Sequence, residues 1–277
     1  MLKVFMTGEK STGFLLTEPE AGSDATAITT LALADSAGWR LNGAKAWVTN
    51  APYIDEYFVF AQTDAGSGAK GIAGFLVPRE SAGLTISEPY ELLGGGVGNI
   101  CEVSFNDVIL AGERMVVPPG NGMRAALSVI DLARINVAAM CCGALASGLE
   151  IALEYTTTRK AFGEVIANFQ GLQWQLAEVA TDLHAAKLMS YEAASLLDRH
   201  GRASTEAAHA KKFATRAALK GLDVCMGQLG SNGLKRSSAL PRLFEHVKIA
   251  HTLDGTTDIQ NVVISRALLE NYRDRLS

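Results

Sequence analysis

The apolar residues of the chain change their spacing once, at the segment Pro118-Pro119-Gly120-Asn121-Gly122. Before this segment, apolar and polar residues alternate in short runs, a pattern typical of strands with one buried face. After it, apolar residues recur about every 3.6 residues, as on the buried stripe of an amphipathic helix. The sequence therefore predicts an α+β protein with more than one domain: a β domain at residues 13–118, then a C-terminal α-helical bundle at residues 119–277.

The β region consists of short runs rich in β-branched or aromatic residues, bounded by Gly, Pro, Asn or Asp. No long amphipathic helix separates the runs, so an antiparallel barrel or sandwich is favoured over a doubly wound sheet. Asn42-Gly43 predicts a hairpin turn, and Val103 and Phe105 alternate with polar residues, which places them on one buried face. The predicted strands are 13–17, 29–34, 39–50, 57–63, 71–77, 84–88 and 100–108.

The helical region predicts a bundle of four long helices and one short helix. The first long helix is expected to bury Leu127 among its core positions. The second repeats buried positions at alternating spacings of four and three from Leu172 to Leu197, which is the heptad seam of a packed bundle. The predicted helices cover residues 123–158, 172–197, 204–229 and 240–250, followed by a final helix that carries Val262, Val263, Leu268, Leu269, Tyr272 and Leu276.

Composition and charge narrow the class of protein. The chain has 277 residues, 48% hydrophobic and 19% charged, with a net charge of −4, so neither nucleic acid nor an anionic membrane is an expected partner. No stretch of about eighteen residues reads as apolar enough for a membrane span. The four cysteines contain no C-x-x-C pair, which is typical of reduced core residues in a cytoplasmic protein.

Two further segments give weak signals for a phosphate or metal site. Gly94-Gly95-Gly96-Val97-Gly98 has no βαβ unit around it, so it is interpreted as a flexible turn between strands rather than a phosphate loop. His246 and His251 are five residues apart and do not share a helix face, and no H-E-x-x-H motif or cysteine cluster occurs. The sequence predicts no metal site.

Three polar segments are candidates for a ligand site, and each also has an ordinary structural interpretation. Residues 17–24 hold three acids, a glycine and two hydroxyls, as a ligand loop or a polar turn would. Trp47 and Thr49 lie two apart on a predicted strand, which suits either a planar ring with a polar atom or a half-buried strand. At residues 254–258 a carboxylate precedes a helix that Thr256, Thr257 or Asp258 could cap. Its free N–H groups would point at a ligand, although any helix start has them.

Eight motifs follow one another in a characteristic order along the chain. They are LTEPEAGSD at 16–24, LNGAKAWVTN at 41–50, CEVSFNDV at 101–108, DLAR at 131–134, RKAFG at 159–163, FQ at 169–170, LGSNG at 229–233 and DGTTDIQ at 254–260. Together they resemble the acyl-CoA dehydrogenase family, the flavin enzymes that desaturate acyl thioesters between Cα and Cβ. The resemblance covers almost the whole chain.

The resemblance implies FAD as the cofactor, with its isoalloxazine ring between the β domain and the helical bundle. Backbone groups around Phe14, Leu16 and Thr17 should face the pyrimidine side of the ring. The Thr49 hydroxyl should face N5, and Trp47 should flank the ring. The implied cofactor site also includes Gly22, Ser23, Val48, Thr256 and Asp258.

Other matched positions imply an oligomer and an acyl-CoA substrate. In the family, one set of residues contacts the adenosine and pyrophosphate of a neighbouring subunit's FAD, which implies a homo- or hetero-oligomer, dimer or tetramer. That set is Arg159, Phe162, Phe169, Gln170, Gly230 and Ser231. For the substrate, the resemblance implies Ser23 near the thioester, Asp131 and Arg134 on the CoA side, and Gly255.

Asp254 matches the position of the family's catalytic glutamate. In the family this base removes the pro-R α-proton while the β-hydrogen leaves as a hydride to flavin N5. The thioester oxygen accepts hydrogen bonds from a flavin ribityl hydroxyl and from the backbone N–H of the base residue, and so the developing enolate charge is stabilised. The resemblance therefore implies Asp254 as the catalytic residue.

Several positions depart from the family pattern. Asp is shorter than Glu by one methylene, on the order of 1.5 Å, which can cost about a hundredfold in rate unless the pocket compensates. Some family members carry the base elsewhere, but Ala133 occupies that position here. Gly96, Leu15 and Gly227 also replace expected family residues.

The start of the chain departs further. Family members usually begin with a helical domain, whereas twelve residues precede Gly13 here, so residues 1–12 are predicted to be a remnant of that region. An apolar surface is then expected to need a partner. This predicts one part of a split or heteromeric enzyme, or a fragment of a longer gene product.

Three functions remain open on the sequence. The leading one is FAD-dependent α,β-dehydrogenation of an acyl-CoA, with electrons passing to electron-transfer flavoprotein. The second is a related enzyme that acts on an acyl group bound to a carrier protein, or lets reduced flavin meet oxygen. The third is a non-catalytic partner subunit that completes the FAD site of an active subunit, which Asp254 and the chain length favour.

Overall fold

The computed structural model describes residues 2–94 and 98–275, with Leu2 described by its backbone alone. The α-carbon contacts separate two units, Met1–Ser128 and Val129–Ser277. A β-sheet dominates the first unit and long helices the second, so the α+β fold class predicted from the sequence is confirmed. The interpretation of residues 94–98 as a turn falls partly outside the described residues. The departure at Gly96 and the core position Leu276 fall wholly outside them.

The first unit contains one eight-stranded sheet, preceded by a short helix, α1 (Leu2–Met6). Its strands are β1 Thr12–Leu15, β2 Leu31–Asp35, β3 Gly38–Val48, β4 Glu56–Gln62, β5 Ile72–Pro78, β6 Leu84–Ile86, β7 Cys101–Leu110 and β8 Met115–Val117. The strand order is β6-β7-β3-β2-β4-β5-β8, with β1 added beside β4. Val103 and Phe105 of β7 are buried and their neighbours are not, which confirms the predicted alternation.

The sheet is mixed, whereas a purely antiparallel one was predicted. β1 runs parallel to β4, with Thr12 opposite Glu56 and Leu15 opposite Val59. β2 is also parallel to β4 where Leu31 meets Gln62. A parallel pair needs a long crossover connection, and the segment that contains the β2–β3 hairpin supplies it between β1 and β4. The absence of a crossover helix therefore did not predict strand direction.

The prediction of a hairpin turn at Asn42-Gly43 is wrong, because β3 continues through these two residues. The turn between β2 and β3 lies between Asp35 and Gly38. Gly43 has a φ of +137°, and a Cβ there would collide with Thr30. The pairing of β3 with β7 shifts register at this point. The Asn42 amide reaches across to β7 and bonds the side chain and the backbone N–H of Asp107. Asn-Gly therefore forms a bulge within a strand.

The second unit is a helical bundle. Its helices are α2 Gly122–Thr158, which begins in the first unit, α3 Gln170–His200, α4 Ser204–Gln228, α5 Ala239–Ala250 and α6 Thr257–Asp274. The two-residue strands β9 Lys160–Ala161 and β10 Glu164–Val165 form a small hairpin that the sequence did not predict. The heptad seam of α3 is confirmed, because its buried residues are Leu176, Val179, Leu183, Ala186, Ser190 and Ala193.

Helix α2 differs from the sequence prediction in two respects. Leu127 is 51% exposed, because the buried stripe passes through Ala126 instead. The helix is also long and apolar enough to cross a membrane, with a mean hydropathy of 1.6 over its best 18-residue window, so the reading that no such stretch exists is wrong. Buried core helices pass the same test, and 44% of this window is buried within the protein.

Candidate active site

Asp254 lies in the turn that joins α5 to α6, and both it and Gly255 have left-handed backbone conformations, with φ of 52° and 93°. Aspartate tolerates this conformation better than most residues with a side chain. At Gly255 a Cβ would lie 3.1 Å from the Gln260 amide nitrogen, so the turn favours glycine there. The Thr256 hydroxyl accepts a hydrogen bond from the N–H of Ile259 at 3.4 Å. Of the three candidate caps, Thr256 is therefore the one that caps α6.

The backbone carbonyl of Asp254 accepts two side-chain hydrogen bonds. Arg134 Nε on α2 donates to it at 3.1 Å, and Gln260 Nε2 on α6 donates at 3.3 Å. The Gln260 amide also donates to the carbonyl of Gly255 at 2.9 Å. Two helices therefore hold the peptide groups that follow Asp254 and Gly255.

A buried lysine on α4 completes the contacts of the turn. Lys211 Nζ donates to the carbonyl of Gly255 at 2.6 Å and to that of His251 at 2.9 Å. The imidazole of His251 in turn lies 3.0 Å from the Thr257 hydroxyl. The carbonyls on both sides of Asp254 are thus bonded to charged or amide donors.

The other polar groups of Asp254 stay available. Among the described residues, neither its carboxylate nor its backbone N–H has a hydrogen-bond partner, and the N–H of Gly255 has none either. Burial raises the pKa of the Asp254 carboxyl, while the charges of Lys211 and Arg134 act in the opposite direction. The turn therefore presents a carboxylate with a raised pKa beside unpaired N–H donors, which suits a general base next to a developing negative charge.

Asp131 and Arg134, predicted on the CoA side, have contacts within the chain. Asp131 is buried and accepts a hydrogen bond from the Ser204 hydroxyl at 2.7 Å. Arg134 Nη1 lies 3.9 Å from an Asp131 carboxylate oxygen. Burial lowers the pKa of Arg134, against the charges of Asp131 and Asp254. Arg134 thus links the predicted CoA side to the carbonyl of Asp254.

A second group of predicted residues lines one cavity in the helical unit. The cavity has a volume of about 380 Å³ and is lined by Tyr155, Arg159, Ile166, Gly227, Gln228, Leu229, Gly230, Ser231 and Asn232. Arg159, Gly230 and Ser231, matched to FAD phosphate and adenosine contacts, therefore come together. Gln228 is buried, and its amide oxygen has no hydrogen-bond partner in the described part of the chain. The cavity thus offers a cation, small residues and an unused acceptor.

The β9–β10 hairpin follows Arg159 directly and presents Phe162. Phe162 and Gly163 have φ of 55° and 89°, as the tightest hairpin turns require. The Phe162 side chain is 96% exposed and lies edge-on to Phe169, with ring centroids 6.2 Å apart. Gln170 is exposed at the start of α3. Phe162 and Gln170 are therefore accessible on the surface of the unit, and Phe169 is half-buried.

In the β unit, a buried ion pair holds the loop that contains the Thr-Glu-Pro motif. Lys45 Nζ donates to Glu18 Oε1 at 2.7 Å and to the carbonyl of Leu16 at 3.0 Å. Glu18 also accepts hydrogen bonds from Thr29 and Thr30. Ala46 N–H donates to the Thr17 carbonyl, joining β3 to the same loop. The pair fixes the backbone that the resemblance places against a flavin.

The predicted flavin contacts in this unit differ in exposure. Leu16 and Val48 are buried, Thr17 is half-buried, and the exposed set is Phe14, Gly22, Ser23, Trp47 and Thr49. Trp47 has a φ of 60° and lies at a register shift between β3 and β7, so simple strand alternation does not place it on one face with Thr49. Its ring packs on Tyr90, with centroids 4.9 Å apart.

Two domains of one protein family together match almost the whole chain. The acyl-CoA dehydrogenase middle domain matches residues 13–108, and the acyl-CoA dehydrogenase C-terminal domain matches residues 120–269. The chain belongs to the acyl-CoA dehydrogenase family. It is 35% identical to the mitochondrial short-chain specific acyl-CoA dehydrogenase of Bos taurus over 97% of this chain, and it spans 65% of that protein.

Two solved structures of similar proteins superpose closely on the chain. Butyryl-CoA dehydrogenase from Megasphaera elsdenii aligns with a TM-score of 0.94 and 31% identity, over 97% of this chain and 70% of that chain. The prolyl acyl carrier protein oxidase AnaB aligns with a TM-score of 0.93 and 26% identity, over 96% of this chain and 71% of that chain. The family fold is therefore shared by relatives whose named substrates differ.

The acyl-CoA dehydrogenase motifs do not include Lys211, and they include Gln260 only as the last residue of DGTTDIQ, with no role assigned to it. Lys211 is the charged residue on the buried face of α4, among Ala207, Ala210 and Ala214. A lysine on an alanine-rich stripe costs free energy when buried and therefore marks a polar partner. The sequence therefore indicates that Lys211 needs a polar partner. It does not indicate which one, because the Gly255 carbonyl lies 44 residues further along the chain.

Proposed function

We propose that this protein is an FAD-dependent dehydrogenase that forms a double bond between Cα and Cβ of an acyl-CoA thioester. The observation that carries the proposal is the Asp254 turn, in which the carboxylate and the backbone N–H are unpaired among the described residues while the flanking carbonyls are bonded. Membership of the acyl-CoA dehydrogenase family supports the same reaction.

Asp254 acts as the base for the α-proton. Its carboxylate takes the proton onto Oδ, and burial makes it a stronger base by raising its pKa. The N–H of Asp254 donates to the thioester oxygen as negative charge develops there, which makes the α-proton easier to remove. When bound, FAD supplies the acceptor for the β-hydride.

The residues of the helical cavity fit FAD. Arg159 supplies a positive charge for a diphosphate, and Gly230 and Ser231 leave room for a ligand to approach the backbone. The amide oxygen of Gln228, which no described residue bonds, can accept a hydrogen bond from an amino group. These residues would hold the adenosine half of a neighbouring subunit's FAD, and the Thr17 and Thr49 segments of the β unit would hold the flavin of the subunit's own FAD.

The partners follow from this reaction. Electron-transfer flavoprotein is the proposed electron acceptor, and a neighbouring subunit in a dimer or tetramer would share the FAD site. All four cysteines are free and buried, which supports a reducing compartment such as the cytoplasm. Neither nucleic acid nor a membrane is a proposed partner.

The visible spectrum of the purified protein tests the proposal. We expect a yellow protein whose flavin absorbance is bleached by anaerobic addition of an acyl-CoA, because hydride transfer reduces the flavin. A panel of acyl-CoAs of different length and branching would identify the substrate. A flavin-containing protein that no acyl-CoA bleaches would contradict the dehydrogenase reaction and favour the non-catalytic partner subunit.

The rate of flavin reduction should depend on the protonation of Asp254. Because burial raises the pKa of this carboxyl, we expect the rate to fall as the pH drops through a value above the ordinary 3.8 for aspartate. Above that value the carboxylate is ionised and can accept the α-proton. Stopped-flow reduction at a series of pH values measures the midpoint, and a rate that does not change across the acidic range would exclude Asp254 as the titrating group.

A carrier-protein substrate is the second candidate, because the similar structure of AnaB is that of a prolyl acyl carrier protein oxidase. Such an enzyme would need the acyl group on a phosphopantetheine arm attached to protein instead of on free CoA. The same bleaching experiment with acyl-CoA and with the matching acyl carrier protein separates the two. Bleaching by the carrier-bound acyl group alone would replace the CoA assignment.

A further inference from the structure

Lys211 is a buried ammonium whose described partners are both neutral. Its side chain is fully buried on α4, and among the described residues it forms no salt bridge. Its two hydrogen bonds go to the carbonyls of His251 and Gly255. A cation without a paired carboxylate is costly to bury, so its retention calls for a local role.

The two carbonyls that Lys211 bonds lie on opposite sides of Asp254 in the chain. His251 is at the C-terminal end of α5, and Gly255 is next to the cap of α6. Among the described residues, the hydrogen bonds of Arg134 and Gln260 to this turn go only to the carbonyls of Asp254 and Gly255. Lys211 ties the two sides of the turn together through one ammonium, and the His251 imidazole, 3.0 Å from the Thr257 hydroxyl, makes a second contact across it.

We propose that Lys211 is a positioning residue that closes the Asp254 turn and so fixes where the carboxylate and the N–H of Asp254 lie. The inference rests on the proposed function of Asp254 as the base. Asp254 is held in a left-handed conformation that the backbone adopts reluctantly outside glycine. Two bonds from one ammonium hold the chain on both sides of that conformation.

The charge of Lys211 acts on Asp254 as well. Burial lowers the pKa of Lys211 to about 8, with Asp254 opposing that shift and Arg134 adding to it. Two positive charges oppose the raised pKa of Asp254. The charge of Lys211 has the larger effect, and the charge of Arg134 has the smaller one. Lys211 therefore favours the ionised form of the base while it holds the turn.

The test compares Lys211→Met with Lys220→Met. Both substitutions remove an ammonium from α4, but Lys220 is exposed and contacts only Asp182 at 3.4 Å among the described residues. Methionine fills the buried space of Lys211 without donating hydrogen bonds. Lys211→Gln is the second variant, because its amide keeps a hydrogen-bond donor. If the methionine variant does not fold, the glutamine variant tests whether Lys211 holds the turn.

Two measurements are made on the full chain. Hydrogen exchange is followed at the backbone amides of Thr252, Ile259 and Gln260, which are bonded on either side of the turn. Flavin reduction is followed together with FAD content. For Lys211→Met we expect exchange to be faster and reduction slower, each on the order of tenfold to a hundredfold, as the loss of charge-assisted hydrogen bonds implies. FAD content should stay unchanged, and Lys220→Met should match the wild type.

Exchange at wild-type rates in both Lys211 variants would overturn the proposal. So would faster exchange with an unchanged rate of reduction, because the turn would then be held without affecting the base. If the wild type itself reduces no flavin, the proposed function fails, and the exchange rates alone still decide whether Lys211 closes the turn.

Discussion

Asp254→Asn should lower the rate of flavin reduction by about 10²–10⁴-fold, the range typical for loss of a general base. The amide has nearly the same shape as the carboxylate but cannot accept the α-proton. The contacts that hold the turn involve backbone carbonyls, so Arg134, Lys211 and Gln260 keep their partners. Anaerobic stopped-flow reduction with the best acyl-CoA gives the rate, and the flavin spectrum gives the FAD content.

Asp223→Asn is the matched control, because it makes the same change at an exposed position on α4. We expect it to reduce flavin at the wild-type rate. An Asp254→Asn protein that keeps its FAD and is reduced as fast as the control would show that another group removes the proton. Loss of FAD from Asp254→Asn would instead mean that the carboxylate supports cofactor binding.

Local periodicity was enough to predict the helical unit. The seam of α3 follows from side-chain spacing alone, since positions four and three apart share one helix face whatever the helix packs against. Leu127 shows where this fails. Near the start of α2 the buried stripe passes through Ala126, and the sequence there holds apolar residues on more than one face.

The sheet was predicted less completely, because strand pairing depends on residues far apart in the chain. The runs that became β4 and β7 were recognisable from their own composition. The parallel pairing of β1 with β4 was not, since it joins Thr12 to Glu56 across a segment that forms other strands. Asn42-Gly43 satisfies a turn and a bulge equally well, and the close approach of Thr30 decides for the bulge.

In the candidate site, too, residues that are neighbours in the chain were predictable and contacts between distant residues were not. Asp254, Gly255 and the capping threonine lie within three consecutive residues, so a motif could identify them together. Lys211 and Arg134 reach the turn from positions 44 and 120 residues away from their partners. Only the packing of α2 and α4 brings those donors to the turn, and a single sequence does not contain that packing.

We expect the buried ion pair between Lys45 and Glu18 to stabilise the β unit. Lys45 and Glu18 are 0% and 4% exposed, and their closest atoms are 2.7 Å apart. Burial alone would raise the pKa of Glu18, but the charge of Lys45 and hydrogen bonds from Lys45, Thr30 and Thr29 outweigh it and lower the pKa. Because its folded pKa is lowered, Glu18 stabilises the fold at neutral pH, and this contribution is lost as the pH falls through that value.

Lys45→Met should therefore lower the free energy of unfolding by about 3–5 kcal/mol at neutral pH, the cost typical of leaving one buried charge without its partner. Lys70→Met is the control. The Lys70 side chain is exposed and forms no hydrogen bond with the described residues. Urea unfolding followed by far-ultraviolet circular dichroism compares the two. The deficit of Lys45→Met should shrink on acidification, because the wild type then loses the contribution of Glu18 and the variant's carboxylate becomes neutral. A deficit that is equal at neutral and acidic pH would mean that Lys45 stabilises the loop through its bond to the Leu16 carbonyl and its packing, and not through the charge of Glu18.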